Sequence, residues 1–231
     1  RRARRRSARR AHGAGAGPDA EAPEVVVVAG HFIDQGADLG APGERETNMA
    51  LADGVEQELR RRGGWRITRP ELRPELRGMT WEAYQLWVAG RTRAGVPVVE
   101  IHGQGRAARP LGAGSVVGAI AGPHSPLAEA LEGAFGRLPN DPRALAVPRN
   151  GGVLLEAYDC DAIGALAEGE RAREEARLAL AIADAVERTD GARRQGKVAG
   201  SGEGCSSSGC VLAAPEVSAS EAAGTPAAGQ G

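Results

Sequence analysis

Five apolar residues in succession, Val25-Val26-Val27-Val28-Ala29, stop at Gly30-His31. A run of this length without polar alternation reads as a strand buried on both faces. Such a strand needs cover on each side, which constrains the chain toward a layered fold.

The rest of the middle region keeps that rhythm. Glu46–Arg62 reads as a helix, with Met49, Ala52, Val55 and Leu59 on one face and Gly63-Gly64 as its stop. Trp65–Thr68 is a short strand, and Pro70 and Pro74 hold RPELRPELR extended as a solvated loop. Thr80 caps a helix from Trp81 to about Arg93, with Trp81, Tyr84 and Val88 on its inner face. Trp87 lies off that face and is the better candidate for an exposed contact. VPVVEIH, Val96–His102, is a second buried strand. Ser125-Pro126 opens a helix to about Phe135, and Val153–Glu156 is a third strand. Glu168–Arg188 is a long amphipathic helix with Ala172, Ala176, Ala179, Ala183 and Val186 along one stripe. Strands alternating with helices argue an α/β sandwich around a mostly parallel or mixed sheet.

All seven aromatic residues lie between Phe32 and Tyr158, which places the folded part at about 23–189 of the 231 residues. Residues 1–22 carry seven arginines in the first ten positions, a density that self-repels and reads as a disordered tail. A nucleic-acid arm, a nuclear address or the remnant of a transit peptide are its alternative readings. Residues 190–231 are rich in Gly, Ser, Ala and Pro and read as a second disordered tail. Its Cys205 and Cys210 have the wrong spacing for a CxxC pair. The 29 basic and 30 acidic residues nearly cancel, and the folded part alone is acidic, which argues against nucleic acid as its partner. No run approaches the roughly 18 apolar residues that span a bilayer.

The chain has four histidines. His12 is in the arginine tail and His124 in a loop, but His31 and His102 each end a predicted central strand. That edge of an open α/β sheet is where ligands bind. The third strand ends in a carboxylate, Glu156, which is awkward to bury without a partner.

These residues carry a resemblance. The segment from Val25 to Gly64 is similar to the opening of the zinc-dependent N-acetylmuramoyl-L-alanine amidases: a hydrophobic strand ending in Gly-His, a short turn, then a Glu that begins a helix. The matching residues are Gly30-His31, Asp34-Gln35-Gly36-Ala37 and Glu46. The family's Ser-Ile-His-Ala-Asn resembles Glu100-Ile101-His102-Gly103-Gln104, and its Val-Leu-Val-Glu strand resembles Val153-Leu154-Leu155-Glu156. The preceding Val-Leu-Arg resembles Val147-Pro148-Arg149. Phe32-Ile33 stand where the family has Gly-Gly, bulk that is expected to crowd the metal mouth or reshape the subsites. The resemblance implies a three-layer, phosphorylase/hydrolase-like α/β fold, zinc, and hydrolysis of the amide between the lactyl group of muramic acid and L-alanine in peptidoglycan. It also implies action outside the cytoplasm, although no apolar signal-peptide core follows the arginines.

The residues support the same chemistry by themselves. His31, Glu46 and His102 form a His₂Glu zinc set that leaves a position for water, and Glu156 is the candidate catalytic base. Glu44 could be the ligand in place of Glu46, which is preferred because it opens the helix. Two other readings remain: a non-catalytic binder of glycan or peptide with the same fold, and dinucleotide binding through Gly103-Gln104-Gly105-Arg106-Ala107-Ala108. Pro110, two residues after that glycine motif, counts against a helix N-terminus there.

Overall fold

The computed structural model describes residues 22–33, 40–76, 78–105, 117–122, 125–141, 143 and 145–200, with side chains as far as Thr189. The two tails up to residue 21 and from 201, including Cys205 and Cys210, lie outside the described residues, as do 34–39, 106–116 and His124.

Five strands form one sheet: β1 (Glu24–Ala29), β2 (Arg66–Thr68), β3 (Val98–Gln104), β4 (Gly118–Ala121) and β5 (Val153–Asp159). Their order is β2-β1-β3-β5-β4, parallel except that β4 runs antiparallel along β5. The expected mixed α/β sandwich is present. Sequence reading missed β4 because its four residues, GAIA, carry neither alternation nor bulk.

Helices cover both faces, as the unbroken apolar run of β1 requires. On one side α1 (Glu44–Arg62), α3 (Pro126–Phe135) and α6 (Glu168–Gly200) pack on Val25, Val27, Val99, Ile101 and Leu155. On the other, α2 (Trp81–Arg93) and the short α4 (Ala146–Arg149) pack on Val26, Val28 and Val98 through Tyr84, Val88 and Val147. Strand alternation sends successive valines of β1 into different layers, and every residue of that strand is buried. A short helix α5 (Cys160–Gly164) follows β5 directly, capped by Asp159, which accepts from the amides of Asp161 and Ala162.

Several expectations need correction. The helix α6 continues to Gly200, beyond the expected end, and its apolar stripe starts late: Ala172 and Ala176 are exposed, and burial sets in at Leu178. RPELRPELR is not extended. Pro70–Leu72 and Pro74–Leu76 are single 3₁₀ turns, because proline presets the φ of a first helical position. Nor is the segment wholly solvated. The first turn inserts Arg69 and Glu71 into the protein, where Arg69 also bonds Asp53 and Glu56 of α1. Glu71 in turn accepts from the Ala29 amide at the end of β1, 3.3 Å away.

The late-starting stripe of α6 gives a direct test. Ile182 is fully buried, whereas Leu180, two residues earlier, is 46% exposed. Ile182→Ala is expected to cost about 2–5 kcal/mol of unfolding free energy, and Leu180→Ala less than about 0.5 kcal/mol. Denaturant melts of the two variants check this; equal losses would contradict the packing of α6.

Candidate metal centre and active site

The strand β1 ends at Ala29, and the chain turns sharply. His31 has φ 59°, the one left-handed non-glycine residue among those described. Gly40 and Gly43, both at positive φ, then lead into α1. The helix begins at Glu44, two residues before the expected start. Side chains in a first turn lean back toward the helix N-terminus, so Glu44 reaches the end of β1. Glu46 is rotated about 200° around the same axis and is exposed to solvent. The preference for Glu46 is therefore corrected: Glu44 stands beside the histidines. Sequence reading held Glu44 only as the alternative because it misplaced the helix start, which Gly43 marks with no side-chain cap.

The three donor atoms lie close together. His31 Nε2 is 3.0 Å from Glu44 Oε1 and 3.2 Å from His102 Nδ1, and His102 Nδ1 is 3.4 Å from Glu44 Oε1. Zinc bonds of about 2.0–2.1 Å in a tetrahedron separate ligand atoms by about 3.3–3.4 Å, so this spacing suits one ion. The donor chemistry, two imidazoles and a carboxylate, suits zinc as well. Glu44 Oε2 accepts from the Ala41 amide at 2.8 Å and Oε1 from the Gly103 amide at 3.2 Å, which fixes the carboxylate plane.

The surroundings leave little room. A Cβ on Gly30 would fall 2.5 Å from the His102 ring, and one on Gly40 would fall 2.4 Å from Glu44 Oε2. A Cβ on Gly103 would lie 2.3 Å from the Tyr158 ring. The Tyr158 hydroxyl donates to Asn48 Oδ1 at 2.8 Å and lies 3.1 Å from the Glu44 carbonyl oxygen. Asn48 Nδ2 donates to the Gly30 carbonyl. A buried polar chain thus ties β5 to α1 and α1 to the end of β1.

Glu156 and His102 are register partners on β5 and β3. A cleft of about 780 Å³ is lined by His31, Glu44, His102 and Glu156 together. Glu156 Oε2 is buried with no hydrogen-bond partner among the described residues, while Arg149 bonds Gln85. Burial pushes the Glu156 carboxyl above its ordinary value, against the pull of the His102 charge and with the push of Glu44. Burial also opposes ionisation of Glu44, but hydrogen bonds with His102 and His31 outweigh it and hold that carboxyl well below the usual range.

A neighbouring cleft of about 460 Å³ shares His31 and His102 and is walled by Phe32, Ile33 and Trp81. Phe32 and Ile33 line this cleft together with the histidines. They pack partly against the α2 layer, Phe32 edge-on to Tyr84 at 5.3 Å, and form an apolar side wall. The tryptophan expectation holds only in part: Trp81 lies against Tyr84 at 5.5 Å but is 40% exposed, whereas Trp87 is half-buried, stacks on Tyr84 and lies under Arg91. Of the dinucleotide motif, Gly103 and Gln104 lie in β3, and Arg106-Ala107-Ala108 lie outside the described residues.

Comparison with solved structures matches this architecture. The catalytic domain of CwlV, an N-acetylmuramoyl-L-alanine amidase from Bacillus (Paenibacillus) polymyxa var. colistinus, superposes with a TM-score of 0.50 at 19% identity, over 71% of this chain and 96% of that one. The fold is that of an N-acetylmuramoyl-L-alanine amidase catalytic domain. Two more such structures come from Clostridium difficile. The amidase of strain 630 has 15% identity and a TM-score of 0.48, over 71% of this chain and 95% of that one. The CwlD amidase, in complex with the GerS lipoprotein, has 16% identity and a TM-score of 0.48, over 74% and 99%. No protein-family model matches the sequence, and no curated protein matches it. No helix among the described residues is long and apolar enough to cross a membrane.

The geometry separates the two carboxylates of α1. Glu44→Gln is expected to bring bound zinc to background, and Glu46→Gln to leave it at the parent's level, both read by metal analysis after dialysis. Gly30→Ala is expected to displace the His102 ring and weaken zinc binding at least about tenfold, the scale of disturbing a ligand's support. A chelator titration unchanged from the parent would contradict that packing.

Proposed function

We propose that this chain is a zinc-dependent amide hydrolase that cleaves the lactyl–L-alanine amide of peptidoglycan. The observation that carries the proposal is the convergence of His31, Glu44 and His102 beside Glu156, at the C-terminal edge of a sheet with the amidase fold. His31, Glu44 and His102 would hold the ion. When bound, zinc supplies Lewis acidity toward an amide carbonyl and toward water.

The chain's own residues account for the rest. Glu44 has both oxygens oriented by backbone amides, so it presents a fixed charge. Glu156 shares the cleft without being needed for the donor set. Its raised pKa, caused first by burial, brings it toward the range where a carboxylate accepts a proton from water and returns it to the leaving nitrogen. The apolar wall of Phe32, Ile33 and Trp81 excludes water from one side of the cleft and offers a flat ring for a sugar or peptide face. The family's site of action, outside the cytoplasm, is part of the same proposal.

Glu156→Gln is the deciding variant. Gln keeps the shape but accepts no proton, so turnover of a muramyl-peptide is expected to fall by about 10²–10⁴-fold, with zinc content and melting temperature close to the parent's. Retained turnover with a lowered melting temperature would make Glu156 a scaffold residue. Zinc binding by the parent with no hydrolysis, and muropeptide still bound, would favour the non-catalytic binding reading.

A further inference from the structure

We propose that Glu100 is a positioning residue for His102: its carboxylate accepts the proton on His102 Nε2 and so fixes the ring with Nδ1 turned to the ion. The inference rests on the zinc site proposed above.

Glu100 and His102 are two residues apart on β3, so their side chains leave the same face of the sheet. Glu100 Oε1 lies 3.4 Å from His102 Nε2, on the far side of the ring from the donor cluster. Glu100 is 4% exposed. A carboxylate is costly to bury without a partner, and His102 provides one. The ring is also confined by Gly30, where an added Cβ would fall 2.5 Å from its Cε1 and Nε2. Tyr84 approaches from α2, fully buried, with its hydroxyl proton held first by burial and then by the charges of Glu100 and Glu71. Metal-bound histidines commonly donate their second ring N–H to a carboxylate, which fixes the tautomer and raises ligand basicity. In the amidase pattern to which Glu100–Gln104 corresponds, this position is serine. The charged support is therefore a property of this chain, and no sequence motif marks it.

The test compares the parent with Glu100→Gln and Glu100→Ser. Zinc affinity is read by competition with a chromogenic chelator, folding by melting temperature, and the His102 ring by the downfield Nε2 proton signal of the zinc-loaded protein. Glu100→Ser is expected to weaken zinc binding by about 10–100-fold and to lose the signal. Glu100→Gln, which still accepts a hydrogen bond but carries no charge, is expected to fall between the two and keep a shifted signal. Zinc affinity within twofold of the parent in both folded variants would overturn the role of Glu100 and leave the site standing. A parent that binds no zinc would overturn the site, and this inference with it.

Discussion

Lack of room governs this molecule's sheet edge. The imidazoles of His31 and His102 and the carboxylate of Glu44 meet within hydrogen-bond distance only because three backbone positions carry no Cβ. Gly30 lies flat beneath one ring, Gly40 borders Glu44 and His31, and Gly103 accepts the ring of Tyr158. The Gly103 amide donates to the same carboxylate that the Ala41 amide holds from the other side. The left-handed turn at His31 belongs to the same solution, since an extended continuation of β1 would carry that side chain past the cluster.

The electrostatics behind the edge are organised in depth. Glu71, pinned by Arg69, accepts the amide of Ala29. Glu100 faces His102, and Tyr84 stands against both acids. Burial raises the Glu71 carboxyl pKa, with Arg69 opposing that rise. The apolar face of the cleft thus rests on a layer of buried polar groups whose charges point at the strand ends, which a hydrophobic core alone would not provide.

Much of this was legible in the residues. An unbroken valine strand dictates a two-sided cover, and the reading of His31, His102 and Glu156 as strand-end residues brought them to one cleft, although β3 and β5 run on to Gln104 and Asp159 beyond the expected ends. What failed was local. Glu46 was preferred because helix starts are read from capping side chains, and Gly43 has none. GAIA is too short and too small to announce an edge strand. The inner face of α2, Tyr84 and Val88, was read correctly, but Trp81 at its first position is 40% exposed while Trp87 stacks on Tyr84, and helical spacing alone does not show where that face stops. Glu100 was unread because a carboxylate inside an apolar strand gains meaning only when the neighbour of its oxygen is known.

The histidines that meet at this edge are 71 positions apart along the chain. Bringing them together carries a loop-closure entropy cost that only the folded chain has met. The divalent ion proposed for this site, needing both of them with Glu44, would recognise the finished sheet and not the unfolded chain. Its binding energy then adds to the native state alone, by about 2.7 kcal/mol at a hundred times the dissociation constant. With the zinc site proposed above filled, the supply of metal in its surroundings would set how long the chain survives proteolysis.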